Sequence, residues 1–223
     1  MKSTNNTEYI VFDLVKEYLK KKPFFSIEDI VIFINNRVKL NPNINKNRIE
    51  KIIKKLIKKR VLIPGTKLMK NNIIEHPVRN EIFNLIEQTP SNINEIMKAL
   101  NIGSNQVLWH LSCLEKFQFV RSKIFENQRV FFKFDVNPEF DELYFYLKQN
   151  IVKEIITFIQ GEKKEFKITE IANGLKKNYN TIKKYLKILQ NLQLITIKRQ
   201  NRKVLFSLNE DKYFEVRKLI NEV

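Results

Sequence analysis

The segment Asn105–Val120 reads NQVLWHLSCLEKFQFV, and 75 residues later Asn180–Ile195 reads NTIKKYLKILQNLQLI. Both begin with Asn and carry apolar residues at the third, seventh and tenth positions. Steps of four and three residues place these side chains on one helical face, so each segment is predicted to be an amphipathic helix. Asn47–Leu62, NRIEKIIKKLIKKRVL, is a third and weaker copy. The chain therefore contains three copies of one amphipathic helix.

The repeat extends toward the N-terminus of each copy. A shorter helix with an Ile-x-acid-Ile pattern precedes the first one, as SIEDIVIFI at Ser26–Ile34, INEIMKAL at Ile93–Leu100 and ITEIANGL at Ile168–Leu175. Ser26 and Ser91 are predicted N-caps, because a serine hydroxyl accepts a bond from the first turn. A further amphipathic helix lies upstream in each copy, at Tyr9–Lys20, Val78–Glu87 and Ile151–Ile159.

A β-hairpin is predicted after the repeated helix in two copies. Alternating β-branched and aromatic residues flank a polar turn at Phe119–Ile124 with Arg129–Phe134, and again at Leu194–Lys198 with Lys203–Leu208. Gly103 and Asn178, in the turn before the repeated helix, are expected to adopt a left-handed conformation. Helix, helix, turn, helix and hairpin in this order form a helix-turn-helix with a β-wing.

The segment Glu75–Phe134 carries a resemblance to a known family. Its His-Pro-x-Arg opening, the Trp-His-Leu at Trp109–Leu111 and the Leu-Glu-Lys before the first wing strand resemble archaeal winged helix-turn-helix transcriptional regulators of the ArsR/MarR-like group. The internal repeat extends this resemblance to residues 150–208. The resemblance implies a winged-helix fold and DNA binding.

The sequence predicts a mainly α-helical α+β fold with small β-wings, made of three tandem winged helix-turn-helix units. Their boundaries are residues 1–71 for repeat 1, 72–136 for repeat 2 and 150–208 for repeat 3. Residues 137–149 are a helical connector and 209–223 a C-terminal helix. The wing of repeat 1 is reduced, because VLIPGTKLMK contains Pro64 and Gly65. Helical apolar spacing from Phe140 to Ile155, after a helix start at Pro138, predicts one long rod that joins the connector to repeat 3.

The charge of the chain is concentrated at its two ends. Forty-one Lys and Arg against 24 Asp and Glu leave a net charge of +17, which favours a polyanionic partner. Residues 1–75 hold 17 basic and 7 acidic residues, and residues 150–223 hold 16 and 8. Residues 76–149 hold 8 and 9. We therefore expect repeats 1 and 3 to contact double-stranded DNA.

The candidate DNA-binding residues lie on the outward faces of the repeated helix and on the wings. In repeat 3 they are Asn180, Thr181, Lys183, Lys184 and Lys187, with Arg199, Arg202 and Lys203 on the wing. In repeat 1 they are Lys46, Arg48, Lys51, Lys54, Lys55 and Lys58. Repeat 2 offers the weaker candidates Asn105, Gln106 and Arg129. Solvated faces in a Lys-rich chain are the alternative interpretation.

Several single residues have two interpretations. Trp109 on the neutral helix of repeat 2 is either a protein contact or an inward packing residue. Cys113 is expected to pack in the core, with redox sensing as the minority interpretation. His110 is expected to be a semi-buried packing or hydrogen-bonding residue rather than a metal ligand. One cysteine and two histidines give no basis for a metal site, and no spacing indicates a catalytic pair or a cofactor, so neither is predicted.

The sequence is best explained by a non-enzymatic transcription regulator that binds duplex DNA through repeats 1 and 3. Its apolar runs are too short for membrane insertion, so a cytoplasmic, nucleoid-associated location is expected. Repeat 2 is a possible contact for transcription machinery or another partner protein, and the C-terminal helix for a homodimer. The alternative is a protein-assembly module with little sequence-specific DNA binding, because tandem winged helices also build ESCRT-II-like and RNA polymerase initiation-subunit-like scaffolds.

Overall fold

The computed structural model describes residues 3–22, 26–39, 44–162, 165–200 and 203–221. It has an α+β winged-helix fold, in which helices predominate and the sheets are small and antiparallel. The chain forms two compact units. The first contains residues 1–122 and 131–135, and the second contains residues 123–130 and 136–223.

Repeat 1 lies in the first compact unit and consists of three helices around one core. They are α1 (Ser3–Lys21), α2 (Ile27–Arg37) and α3 (Lys46–Lys58). Ser26 caps α2 as predicted, because its hydroxyl accepts a bond from Asp29 N at 3.0 Å. The core includes fully buried Val11, Val15, Ile30, Ile34, Ile49 and Ile53. A single antiparallel bridge between Leu62 and Met69 follows α3, in the place of a wing.

Repeat 2 adds a second core to the first compact unit. Its elements are α4 (Lys70–Ile73), α5 (Pro77–Gln88), β1 (Ser91–Asn92), α6 (Ile93–Leu100), α7 (Ser104–Lys116), β2 (Val120–Phe125) and β3 (Gln128–Lys133). The strands form a sheet in the order β1-β3-β2. The predicted N-cap at Ser91 is wrong by one residue. Asn92 caps α6 in a reciprocal pair with Glu95, while Ser91 donates to Thr89 O at 2.9 Å.

The second compact unit contains repeat 3, the elements that flank it, and residues 123–130 at the tip of the β2–β3 hairpin. A 3-10 turn at Pro138–Phe140 precedes α8 (Asp141–Leu147), α9 (Asn150–Glu162), α10 (Ile168–Gly174) and α11 (Tyr179–Asn191). The antiparallel hairpin β4 (Ile195–Gln200) and β5 (Lys203–Leu208) follows, and α12 (Glu210–Asn221) ends the unit.

The prediction of one long rod between the connector and repeat 3 is wrong. Helix α8 ends before Lys148, and α9 begins at Asn150. Gln149 N bonds to Tyr146 O at 3.0 Å, and Gln149 O accepts the first bond of the new helix from Val152 N at 3.1 Å. Four consecutive residues of α8, Leu143–Tyr146, are buried, so the helix buries side chains around most of its circumference. A surface helix with a single apolar stripe does not bury four residues in a row.

The left-handed residues lie at helix ends, and the predictions for Gly103 and Asn178 are wrong. Gly103 has φ −71° and Asn178 has φ −62°, and both are N-caps in extended conformation. Asn101 and Lys176 are left-handed instead, with φ 53° and 52°. They follow the preceding helix, where the last carbonyls need a donor, so the turn closes there.

Each copy of the repeated helix ends in the same way. Arg60, Gln118 and Gln193 have φ values of 55°, 57° and 60°. The next amide in each copy reaches back five residues at 2.9 Å, in the pairs Val61 N to Leu56 O, Phe119 N to Leu114 O, and Leu194 N to Leu189 O. This bond is part of a Schellman closure. The sequence repeat therefore has a counterpart in the backbone.

Candidate nucleic-acid interface

Helix α11 presents the candidate residues of repeat 3 on one exposed face. Ile182, Leu186 and Leu189 are buried on the opposite face. Asn178 accepts a bond from Asn180 N at 2.8 Å and thereby fixes the start of the helix. The exposed residues are Asn180, Thr181, Lys183, Lys184 and Lys187. Their spacing gives a cationic stripe that begins at an uncharged, hydrogen-bonding helix end.

The wing of repeat 3 adds two more exposed cations. In the β4–β5 ladder Arg199 pairs with Val204 and Gln200 with Lys203, and Arg199 and Lys203 are both exposed. Arg202 lies outside the described residues. Lys198 forms an ion pair with Glu165 at 3.0 Å, so its charge is partly neutralised within the unit. The wing therefore offers Arg199 and Lys203 to a polyanion.

Helix α3 presents a denser cationic face in the first compact unit. Asn45 caps it by accepting a bond from Arg48 N at 2.9 Å. Arg48 is half-buried. Two of its lysines have partners, because Lys55 pairs with Glu8, and Lys54 lies 3.8 Å from Glu50. The exposed lysines are Lys46, Lys51, Lys54, Lys55 and Lys58.

Helix α7 of repeat 2 presents a different surface. Trp109 is 56% exposed and Leu108 is 42% exposed, so the inward interpretation of Trp109 is wrong. Asn105 and Gln106 are exposed beside them, and Arg129 is exposed on β3. Cys113 is half-buried, and His110 is buried as a packing residue. The exposed face of α7 carries Leu108 and Trp109 beside uncharged polar residues, and its single cation is Lys116 in the last turn. The exposed faces of α3 and α11 each carry several lysines.

The sequence did not reveal the partner of Lys184. In the second compact unit its ammonium lies 2.8 Å from Glu126 Oε1, and the hydrogen bond to Glu126 raises the pKa of Lys184. Tyr146 donates to the same carboxylate oxygen at 3.4 Å. Burial and the Glu126 charge raise the pKa of Tyr146 to about 12. Glu126 lies in a polar turn 58 residues away in sequence, and no local spacing could have indicated the pair.

The candidate residues form separate groups. Those of α3 and α7 belong to the first compact unit, while those of α11 and the β4–β5 wing belong to the second. Within each helix the residues share a face. Together the helix pairs, their turns and the small antiparallel hairpins define the winged helix-turn-helix class.

Comparison with known proteins agrees with this class. Residues 145–199 match the family described as winged helix-turn-helix transcription repressor, HrcA DNA-binding. The chain is also similar to an uncharacterised HTH-type transcriptional regulator of Methanocaldococcus jannaschii, with 29% identity over 144 residues. That alignment covers 64% of this chain and 36% of the relative, so the chain spans about a third of the relative's length.

Within the described ranges no helix is both long and apolar enough to cross a bilayer.

Proposed function

We propose that the chain is a transcription regulator that binds duplex DNA through α3 and α11. The observation that carries the proposal is the exposed stripe on α11, where Asn180, Lys183, Lys184 and Lys187 lie opposite a fully apolar buried face. In a helix-turn-helix the second helix enters the major groove. The HrcA-type match over residues 145–199 includes α11, and the name of the archaeal relative supports the same class.

Phosphate contacts would provide most of the affinity. Lysines on α3 and α11 neutralise phosphates and release counterions, which makes binding strongly salt-dependent. Asn180 and Thr181, at the start of α11, are placed to contact base edges, and Arg199 and Lys203 to follow the backbone beside the wing. The DNA contacts assigned to Asn105, Gln106 and Arg129 are weaker proposals, because their surroundings hold few cations.

The proposal includes three tandem units with the boundaries predicted from the sequence. The shared left-handed closure at Arg60, Gln118 and Gln193 supports three equivalent helices. Repeats 1 and 2 also have separate clusters of buried residues. The Val61 O to Lys70 N bond at 3.0 Å corresponds to the Phe119 O to Phe134 N bond, so repeat 1 retains the base of a wing.

A second function is favoured by one observation on repeat 2. Leu108 and Trp109 are large exposed apolar residues on a helix face whose single cation is Lys116 in the last turn. Exposed aromatic residues of this kind are typical of protein contacts, so an assembly module is the alternative. Under either function, α7 would contact transcription machinery or another partner protein. A homodimer through α12, where Phe214 is 56% exposed, belongs to the same alternative.

A gel-shift experiment with mixed genomic fragments across a salt series tests the two functions. A regulator retains preferred fragments at moderate salt, whereas an assembly module shows weak binding without preference that disappears as salt rises. Recovery and sequencing of the retained fragments identifies the preference.

Charge reversal on α11 provides the matched variant. The triple substitution Lys183→Glu, Lys184→Glu and Lys187→Glu should weaken binding at least tenfold and reduce the salt slope. The triple substitution Lys212→Glu, Arg217→Glu and Lys218→Glu on α12 changes the net charge equally, and serves as the control. Equal losses in both variants would show that net charge, not the α11 face, determines binding.

A further inference from the structure

Four side chains of repeat 2 form a cluster where α5 meets α7. Arg79, in the first turn of α5, is 4% exposed, and His110 on α7 is 2% exposed. The ring centroids of His76 and His110 are 4.7 Å apart. Trp109 packs edge-on against His110 at 4.8 Å, and the Arg79 guanidinium lies 5.7 Å from the Trp109 ring centroid. Trp109 is the exposed member of this cluster, named here the Arg79 cluster.

The Arg79 cluster concentrates unpartnered polar atoms. Four buried side-chain nitrogens of this cluster have no hydrogen-bond partner: His76 Nδ1, His110 Nδ1, and Nε and Nη1 of Arg79. Buried polar groups in folded proteins are almost always paired, with protein, water or an ion. Two of these nitrogens belong to the guanidinium, which can only donate hydrogen bonds, and the other two are imidazole nitrogens beside it. The set indicates that a ligand with acceptor atoms belongs there.

The electrostatics of the cluster select the sign of that ligand. Arginine keeps its charge at any accessible pH, and an isolated buried charge is costly. The first turn of α5 contains no acidic residue, and no side chain caps it at His76. The positive end of the helix dipole therefore adds to the guanidinium. Burial, reinforced by His76 and Arg79, lowers the pKa of His110 to about 4, so its ring is neutral at pH 7. A bound anion would neutralise this buried positive charge.

We propose that His76, Arg79 and His110 bind a small oxyanion, a phosphate- or carboxylate-bearing ligand, beneath the indole of Trp109. The guanidinium supplies the charge, and the imidazole nitrogens supply hydrogen bonds. Since the four nitrogens are sealed from water, the Trp109 side chain must swing outward for the ligand to enter. The indole, held by ring contacts, is the exposed member and acts as the cover.

The site connects a ligand to the exposed face of α7. Trp109 occupies the same repeat position as Lys51 on α3 and Lys184 on α11. If the Trp109 side chain moves, the exposed face of α7 changes. This face corresponds, in the repeat, to the cationic faces of α3 and α11. The oxyanion site does not depend on DNA binding, because the orphaned nitrogens and the buried charge exist in the free chain.

Tryptophan fluorescence tests the proposal directly, since Trp109 is the single tryptophan of the chain. The protein is titrated with sodium phosphate, sulfate or acetate at constant ionic strength, with chloride as the reference anion. We expect a saturable change in intensity or emission maximum for at least one oxyanion and none for chloride. The variant Arg79→Met should bind at least tenfold more weakly. Lys98→Met, which removes one exposed charge from α6, should bind like the wild type.

Thermal unfolding gives a second measurement that does not require the variant to retain its fluorescence. A ligand that binds only the folded state raises the Tm by an amount that grows with the ratio of its free concentration to its Kd. The wild type should gain Tm with the active oxyanion, and Arg79→Met should gain none. Arg79→Met should also be at least as stable as the wild type without oxyanion, because an unpaired buried charge has been removed.

A parallel titration with a DNA duplex distinguishes the source of the oxyanion. A response to free phosphate or acetate identifies a small-molecule ligand. An Arg79-dependent response to duplex alone identifies a backbone phosphate. The proposal is overturned if neither source changes Trp109 fluorescence or Tm, or if Arg79→Met responds as strongly as the wild type. If Arg79→Met fails to fold, His110→Gln replaces it in the same titrations. The proposal then requires that His110→Gln binds the oxyanion more weakly than the wild type.

Discussion

Glu126 determines how much of the Lys184 charge is available to a partner. The carboxylate accepts a bond from Lys184 at 2.8 Å and another from Tyr146 at 3.4 Å. Lys184 remains about half exposed. A phosphate that approaches Lys184 must compete with this carboxylate, and an exposed pair of this kind contributes little to stability. The α11 face therefore attracts a phosphate less strongly than its number of lysines indicates.

Replacing Glu126 should strengthen DNA binding. Glu126→Gln removes the competing charge, so affinity for duplex should rise about three- to tenfold at low salt, and the salt slope should become steeper by up to about one unit. Fluorescence anisotropy with labelled duplex measures both quantities. Glu154→Gln, which removes the partner of Lys177 at 3.1 Å in the same compact unit, is the matched control. If both variants gain equally, only the net charge matters, and Lys184 has no special role.

His110 should make stability depend on pH. Its pKa is about 4 in the folded protein against 6.5 when unfolded, with burial as the largest cause. The unfolded state therefore binds more protons between these values. The His110 contribution is complete above pH 6.5 and is lost as pH falls to 4, by roughly 3 kcal/mol. Urea unfolding at pH 7 and 4.5 should show a smaller loss for His110→Gln than for the wild type. Equal losses would contradict the assignment.

At the scale of elements, the packing of α10 on α9 depends on one glycine. A Cβ at Gly174 would lie 2.3 Å from Phe158 Cε2, well inside contact distance. Phe158 in turn packs on Phe166 with ring centroids 5.1 Å apart, which restricts how far the ring can move. This contact positions the helix before α11, and so the turn of the helix-turn-helix.

The glycine gives a stability prediction with an internal control. Gly174→Ala should lower the free energy of unfolding by about 1–3 kcal/mol, because overpacking outweighs the gain in helix propensity. Gly161→Ala, in α9 with nothing within 4 Å of the new Cβ, should raise it by about 0.5–1 kcal/mol. Chemical denaturation measures both. A stabilised Gly174→Ala would show that Phe158 moves aside freely.

Sequence period predicted the elements better than their junctions. The repeat correctly predicted the buried face of α11, which consists of Ile182, Leu186 and Leu189. A surface helix packs on the core through one apolar stripe, so the spacing of that stripe is visible in the sequence. The ends were harder to predict. A left-handed conformation was predicted at Gly103 because glycine adopts positive φ at little cost. The left-handed residue is Asn101, at the end of the preceding helix, where the hydrogen bonds that close the helix form. The Arg79 cluster was not predictable, because it depends on packing between α5 and α7.

At the scale of the molecule, the three repeats differ in the charge of the exposed face of their repeated helix. The exposed faces of α3 and α11 carry lysines, and that of α7 carries Leu108 and Trp109. Under the proposed function these two basic helices would bind duplex as linked sites, and the second contact would form at a high effective concentration. A chain with a single active helix would lack this gain. The proposed contribution of both helices can therefore be tested by removing the basic faces separately and together.

Combined charge reversal should show both helices at work. The α3 variant carries Lys51→Glu, Lys54→Glu and Lys58→Glu, and the α11 variant carries the triple reversal at Lys183, Lys184 and Lys187. Each should reduce the slope of log K against log salt by about 0.9 for every phosphate that the variant no longer neutralises. The double set should reduce it by the sum, and bind more weakly than either alone. If the α3 variant keeps the wild-type slope while the α11 variant does not, repeat 1 does not contact DNA and only repeat 3 acts as the reading unit. Circular dichroism confirms that each variant is folded before the slopes are compared.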